Sequence, residues 1–148
     1  MGLLDSLPTF RGWAPEDLAK LEIMGTVLNA APGQEIFKEG NPGDSLFVVL
    51  SGQIQIQKHV KDQDTVLAIL KPGEVFGEMA LFDGLPRSAT ARTRSQAQVM
   101  KFTVANLQAL QDQSLEVIIR FKEVLLKALS FRLREASRDM EVLQFWIT

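Results

Sequence analysis

Ser45-Leu46-Phe47-Val48-Val49-Leu50-Ser51-Gly52-Gln53-Ile54-Gln55-Ile56-Gln57 holds two strands and the turn between them. Ser45 to Leu50 is a near-continuous apolar run, the pattern of a buried strand. Gln53 to Gln57 alternates strictly, as a half-exposed strand does. Ser51-Gly52 reverses the chain between them. The same texture continues outward. Pro32-Gly33 opens a short strand around Glu35 to Phe37, and Gly40-Asn41-Pro42-Gly43-Asp44 is a dense turn cluster. Thr65 to Leu70 reads as another strand and Lys71-Pro72-Gly73 as another turn, and Arg87 to Thr93 and Ala97 to Phe102 complete the set. Short strands punctuated by Gly and Pro, with no long helix among them, predict an antiparallel barrel or jelly roll.

At both ends the period becomes helical. Met1 to Leu28 reads as helix: Leu3, Leu4, Leu7 and Phe10 share a face, and Leu18, Leu21 and Met24 recur at helical intervals. Ala14-Pro15-Glu16-Asp17 is a helix start, with Pro in the first turn and acids at the positive end of the dipole. Thr103 to Gln111 predicts a short helix, and Ser114 a cap for a long one running toward Trp146. The expected fold is mainly β with α ends, in one domain over residues 1–148. It has N-terminal helices over 1–30, a jelly-roll barrel over 31–102 and C-terminal helices over 103–148.

Composition narrows the chemistry. With 148 residues, 46% apolar and 23% charged, the chain can bury a real core as one domain. Sixteen Lys plus Arg against eighteen Asp plus Glu give a charge of -2, which argues against general affinity for nucleic acid. There is no cysteine and one histidine, His59, so disulfides, thiol catalysis and two-histidine metal sites are excluded. Neither a nucleophile elbow nor a Gly-x-x-x-x-Gly-Lys loop occurs. No apolar run approaches the ~18 residues of a membrane span. The expectation is a cytoplasmic protein that is not an enzyme, holds no metal, and contacts neither nucleic acid nor membrane. His59, between Lys58 and Lys61, reads as a solvated residue.

The segment that breaks the strand pattern carries the chemistry: Phe76-Gly77-Glu78-Met79-Ala80-Leu81-Phe82-Asp83-Gly84-Leu85-Pro86-Arg87-Ser88-Ala89-Thr90. Glu78 to Phe82 can form just over one helical turn whose first N–H groups are free, and Gly77 removes the side chain that would shield them. Asp83 to Pro86 then reverses the chain and brings Arg87 beside the turn, where its planar fork of donors suits a phosphate. An acid so close to an anion site needs a neutral donor on the same ligand, and a ribose 2′-hydroxyl would serve. The plain alternative is an ion pair between Glu78 and Arg87 on the rim of a turn.

The segment resembles the phosphate-binding cassette of the cyclic nucleotide-binding domain, found in protein kinase A regulatory subunits, gated cation channels and the bacterial catabolite activator. The Phe-Gly-Glu-x-Ala-Leu opening and the Pro-Arg-x-Ala-Thr close are collinear with it, at the family's Glu-to-Arg spacing. Pro32-Gly33, Phe37-x-x-Gly40, Asp44-Ser45-Leu46, Ser51-Gly52 and Pro72-Gly73 fall where the family has its turns. Ser130-Phe131-Arg132-Leu133-Arg134 resembles its C-terminal helix. The resemblance implies a cassette over 76–90 and a ligand site at Phe76, Gly77, Glu78, Met79, Ala80, Arg87, Ser88 and Ala89. Arg87 would pair with the cyclic phosphate, Glu78 would take the ribose hydroxyl, and the amides of Ala80 and Ser88 would donate to the phosphate. Arg132 is the first choice for contacting the purine, against the alternative of a solvated helix residue. The ligand is expected to be cAMP first and cGMP second, because the Ser88 hydroxyl is compatible with either.

The last helix has a second pattern. Leu115, Ile119, Leu126, Leu129, Leu133, Ala136, Met140, Leu143 and Ile147 follow an a/d spacing broken only at Lys122, which is the signature of helix pairing. The first two turns are expected to lie on the barrel, and the remainder to form a parallel homodimer similar to that of the catabolite activator. The implied protein is a stand-alone sensor that couples nucleotide binding to its C-terminal helix, and so to an effector protein or its own dimer. The alternatives are a non-binding dimerisation scaffold, or the sensor part of a catabolite-activator-type transcription regulator.

Overall fold

Leu46 and Val48 leave their strand on one side, Phe47 and Val49 on the other, and all four are buried. Strand β3 (Ser45–Ser51) therefore has a core on each face, which is why its sequence does not alternate. The computed structural model describes residues 2–136. Its centre is two four-stranded antiparallel sheets. One has the order β1-β8-β3-β6, with β1 at Thr26–Ala30, β6 at Val75–Phe76 and β8 at Ala97–Thr103. The other is β2-β7-β4-β5, with β2 at Glu35–Phe37, β4 at Ile54–Val60, β5 at Gln63–Leu70 and β7 at Thr90–Thr93. The sheets face each other as a jelly roll without closing into a continuous barrel. Phe47, Val49, Ile54, Ile56, Phe76 and Val99 fill the space between them.

A second core lies behind the first sheet. Leu46, Val48, Met100 and Phe102 meet Leu18 and Leu21 of α1 (Pro15–Met24), Leu110 of α3 (Val104–Gln113) and Val117, Phe121 and Leu125 of α4 (Leu115–Ala136). Thr103 and Asn106 form a reciprocal capping box at the start of α3. The Ser114 hydroxyl accepts from the Val117 N–H at 3.3 Å, as expected for a cap.

Three expectations are corrected. Helix does not run to Leu28: Gly25 ends α1, and Thr26–Ala30 pairs with β8 from Thr26 opposite Lys101 to Ala30 opposite Ala97. The 1–30 segment is thus part helix and part sheet. A Cβ on Gly25 would stand 2.6 Å from Met100 Cγ, so glycine permits this close passage over the sheet. Arg87 is not yet in strand: β7 begins at Thr90, and Arg87 to Ala89 form its approach. Finally, the first two turns of α4 do lie on the body, but through Val117, Ile118 and Phe121; the seam residues Leu115 and Ile119 are exposed.

Helix α4 buries Val117, Ile118, Phe121 and Leu125. Leu115, Ile119, Leu126 and Leu133 form a separate stripe, exposed by 61%, 49%, 65% and 51%. At 3.6 residues per turn the two stripes lie roughly 120° apart. The more distal seam positions, Met140, Leu143 and Ile147, and the expected run toward Trp146, lie outside the described residues.

Candidate functional site

The short β6 delivers the chain to Gly77, whose φ of 81° is in the left-handed region. Helix α2 (Glu78–Asp83) starts there. A Cβ on Gly77 would stand 2.8 Å from Arg87 Nη1 and 3.2 Å from Phe37 Cε2, so glycine is required by conformation and by space. Gly43 is the matching concession on the facing turn, where a Cβ would stand 2.1 Å from that of Ala80.

Glu78 is 1% exposed and Arg87 4%. They are not the ion pair of a turn rim: each has other partners and each is inside. The Arg87 guanidinium donates from Nη1 to the Gly77 carbonyl at 2.7 Å and from Nη2 to the Ser45 carbonyl at 2.7 Å. It lies over the Phe37 ring at 4.1 Å from the centroid. Its backbone is held too, with the N–H donating to the Asn41 carbonyl at 2.8 Å and the carbonyl accepting from Gly40 N–H at 2.9 Å. Burial pushes the Arg87 guanidinium below its usual range, while the charges of Asp44 and Glu78 pull it back up.

Glu78 Oε1 accepts from Arg132 Nη1 at 2.6 Å, and Arg132 Nη2 donates to the Val75 carbonyl. Two buried polar atoms among the described residues have no partner: Glu78 Oε2 and Arg87 Nε. One acceptor and one donor, both on the cassette, are left to be satisfied by something else.

The other expected residues fall into two groups. Phe76 and Ala89 are packed in the inter-sheet core, Phe76 stacked on Phe47 with centroids 5.1 Å apart. Ala80 is buried, Met79 half-buried and Ser88 exposed. Sequence reasoning missed Phe37 as the platform under Arg87, and Ser45 and Val75 as its and Arg132's acceptors. Ser45 had a faint signal, as the polar head of an otherwise apolar run. His59 is exposed and paired with Asp64 at 3.1 Å across the β4–β5 hairpin. Among the described residues no group of three or more His, Cys, Asp or Glu could hold a metal ion, and no helix is long and apolar enough to cross a membrane.

The sequence model of the cyclic nucleotide-binding domain matches residues 27–114, which contain this whole cluster except Arg132. The chain belongs to the cyclic nucleotide-binding domain family. Within it, the chain is similar to the cyclic AMP receptor protein of Thermus thermophilus, at 34% identity over 143 residues, 93% of this chain and 62% of that protein. It is 29% identical over 137 residues to the CRP-like cAMP-activated global transcriptional regulator of Mycobacterium tuberculosis, covering 92% of this chain and 59% of that one. The chain thus spans about three fifths of the length of these curated relatives. In structure it superposes on a cyclic nucleotide-binding domain from Methylobacillus flagellatus with a TM-score of 0.83 at 23% identity, over 94% of this chain and 79% of that one. That likeness extends the domain fold through α1 and α4.

Proposed function

We propose that this cyclic nucleotide-binding domain binds cAMP, with cGMP as the second ligand, in the cassette over 76–90, and that binding is read out through α4. The observation that carries the reading is the pair of buried, unpartnered atoms, Glu78 Oε2 and Arg87 Nε, nine residues apart on one cassette. A ribose 2′-hydroxyl donates to the first. A cyclic phosphate accepts from the second and from any guanidinium N–H it wins from the backbone carbonyls. The names of the relatives support cAMP. The exposed Ser88 hydroxyl keeps cGMP as the second ligand. The role is regulatory, and the part of the cassette in it is recognition.

Isothermal titration with cAMP and cGMP tests this. Binding of at least one below about 100 µM is expected, and its loss in Arg87→Ala. No heat from either nucleotide at that concentration ends the reading and leaves the scaffold. Thermal stabilisation by nucleotide gives the same answer independently.

The second half of the proposal concerns association. The exposed stripe Leu115, Ile119, Leu126 and Leu133 pairs with its own copy in a parallel homodimer. Light scattering with and without cAMP measures this, and a monomer at high concentration in both conditions refutes it.

A further inference from the structure

A cleft of about 390 Å³ opens between the N-terminal turn at Pro8–Phe10, the turn from β5 to β6, and one face of α4. That volume is within the ~300–1,000 Å³ of small-molecule sites. None of the cassette residues 76–90 lines it. Its three walls are tied to one another. Phe10 of the N-terminal turn stacks on Phe121 of α4, with centroids 6.4 Å apart. Thr9 Oγ1 donates to the Gly73 carbonyl, and a Cβ on Gly73 would stand 2.7 Å from that hydroxyl. Arg132 of α4 closes the triangle by donating to the Val75 carbonyl. The space is therefore preformed, and the small residues Gly73 and Ala128 on its walls keep it open.

We infer that this cleft is a second ligand site, for a small amphipathic anion: a planar apolar body carrying one carboxylate or sulfonate. The inference does not depend on the proposed function. The apolar body follows from Trp13, Val124 and Phe131 on the lining. Trp13 is half-buried and Phe131 is 61% exposed, so a flat apolar group gains burial against both. The charge follows from the cations, of which Arg11, Arg120, Lys127 and Arg132 line the cleft against the acids Glu74 and Glu123. Arg120 and Arg132 are engaged, with Asp17 at 3.4 Å and Glu78 at 2.6 Å. Arg11 and Lys127 have no side-chain partner among the described residues. Glu74 does not supply one, because its Oε2 accepts from the Lys71 N–H at 2.6 Å. Glu123 is exposed and forms no ion pair with Lys127 one turn on. An anion bound on the apolar lining gives these two cations the partner they lack. The stripe of α4 that lines the cleft is roughly 150° around the helix from Leu126 and Leu133, at ~100° per residue. Ligand and self-association seam therefore occupy different faces.

The probe is anilinonaphthalene sulfonate, an aromatic anion that brightens in apolar sites and accepts energy from tryptophan. Trp146→Phe leaves Trp13 as the sole tryptophan, so energy transfer reports on the cleft. Saturable transfer with a Kd of about 50 µM or tighter is expected. In that background Ala128→Phe fills the cleft, and Lys127→Glu and Arg11→Glu reverse exposed charges at it. Each should weaken the dye by about tenfold or more. Leu126→Asp and Arg87→Ala should leave it unchanged, as should cAMP at about 1 mM. Naphthoate should displace the dye about tenfold better than neutral naphthylmethanol. No transfer from Trp13, an undiminished signal in Ala128→Phe, or loss only in Leu126→Asp overturns the site. Full binding in both charge reversals, with naphthylmethanol competing as well as naphthoate, overturns the anion; these arms also decide the matter if Ala128→Phe does not fold. Displacement by cAMP makes the cleft part of the nucleotide site and overturns a second one. A protein that binds the dye as expected but neither nucleotide keeps the cleft and loses the proposed function.

Discussion

Arg87→Lys, measured without nucleotide, tests whether the cassette arginine also holds the empty domain together. The guanidinium reaches the Gly77 and Ser45 carbonyls at once, each at 2.7 Å, and lies 4.1 Å above Phe37. A lysine ammonium carries the same charge and meets a similar desolvation, so those terms largely cancel. It is a point donor on one stem, however, and reaches one carbonyl of the two. The other is left buried without a donor, at about 1–3 kcal/mol. The flat contact with Phe37 contributes about 0.5–1 kcal/mol more. The expected loss is therefore about 1.5–4 kcal/mol, or roughly 4–15 °C in Tm for a domain of this size. Urea titration and calorimetry on the nucleotide-free protein read it directly. Arg92→Lys is the control, because its pairing with Glu35 at 2.7 Å is a surface contact about 40% exposed on both sides, and it should change stability by less than about 1 kcal/mol. If Arg87→Lys matches the Arg92→Lys control, the buried bonds contribute nothing and Arg87 serves the ligand alone.

Gly77→Ala should lower stability by about 2–4 kcal/mol, from left-handed backbone plus the 2.8 Å approach to Arg87 Nη1, and should weaken nucleotide binding in the same titration. Full stability in the alanine variant would show that the turn relaxes freely. Phe121→Ala removes a fully buried ring that lies 5.3 Å from Phe102 and 6.4 Å from Phe10, so a loss of about 3–5 kcal/mol by chemical denaturation is expected. Leu126→Asp changes a side chain 65% exposed; the unfolding free energy of the isolated chain should stay within about 0.5 kcal/mol while the mass in solution drops to that of a monomer. An unchanged mass would place the self-association elsewhere or nowhere.

How much of this was legible in the sequence depends on which part of the chain carried the information. The strands of the centre announced themselves through side chains: Ile54 and Ile56 alternate with glutamines because only one face of β4 is dry, and β3 has no alternation because both faces are. Strand β1 was read as helix because Leu18, Leu21 and Met24 set a helical rhythm that Val27 and Leu28 continue by spacing alone. The interruption at Gly25 was the signal, and its reason, the nearness of Met100, lies seventy-five residues further on. In the site, Glu78 and Arg87 were visible as residue types at a meaningful spacing. Their partners were not. The carbonyls of Gly77, Ser45 and Val75 look the same in every residue, and Arg132 finds Glu78 from 54 positions away. Backbone acceptors and long-range pairings leave no local mark, so the sequence showed the two charged side chains without the groups that hold them.

Strand β3, with a core on each face, constrains how a signal could travel. Ser45, at its head, holds Arg87, while Leu46 and Val48 are locked among helices and Phe47 and Val49 between sheets. Shifting such a strand would disturb two packed interiors at once, and well-packed interiors resist that. The anchor of Arg87 is thus among the most tightly packed places in the described residues. In the proposed function, a fixed floor under the nucleotide leaves any closure to the helices beside it, α2 and the distal half of α4. On that reading the domain is a vice with one fixed jaw, and the sheet is the jaw that stays.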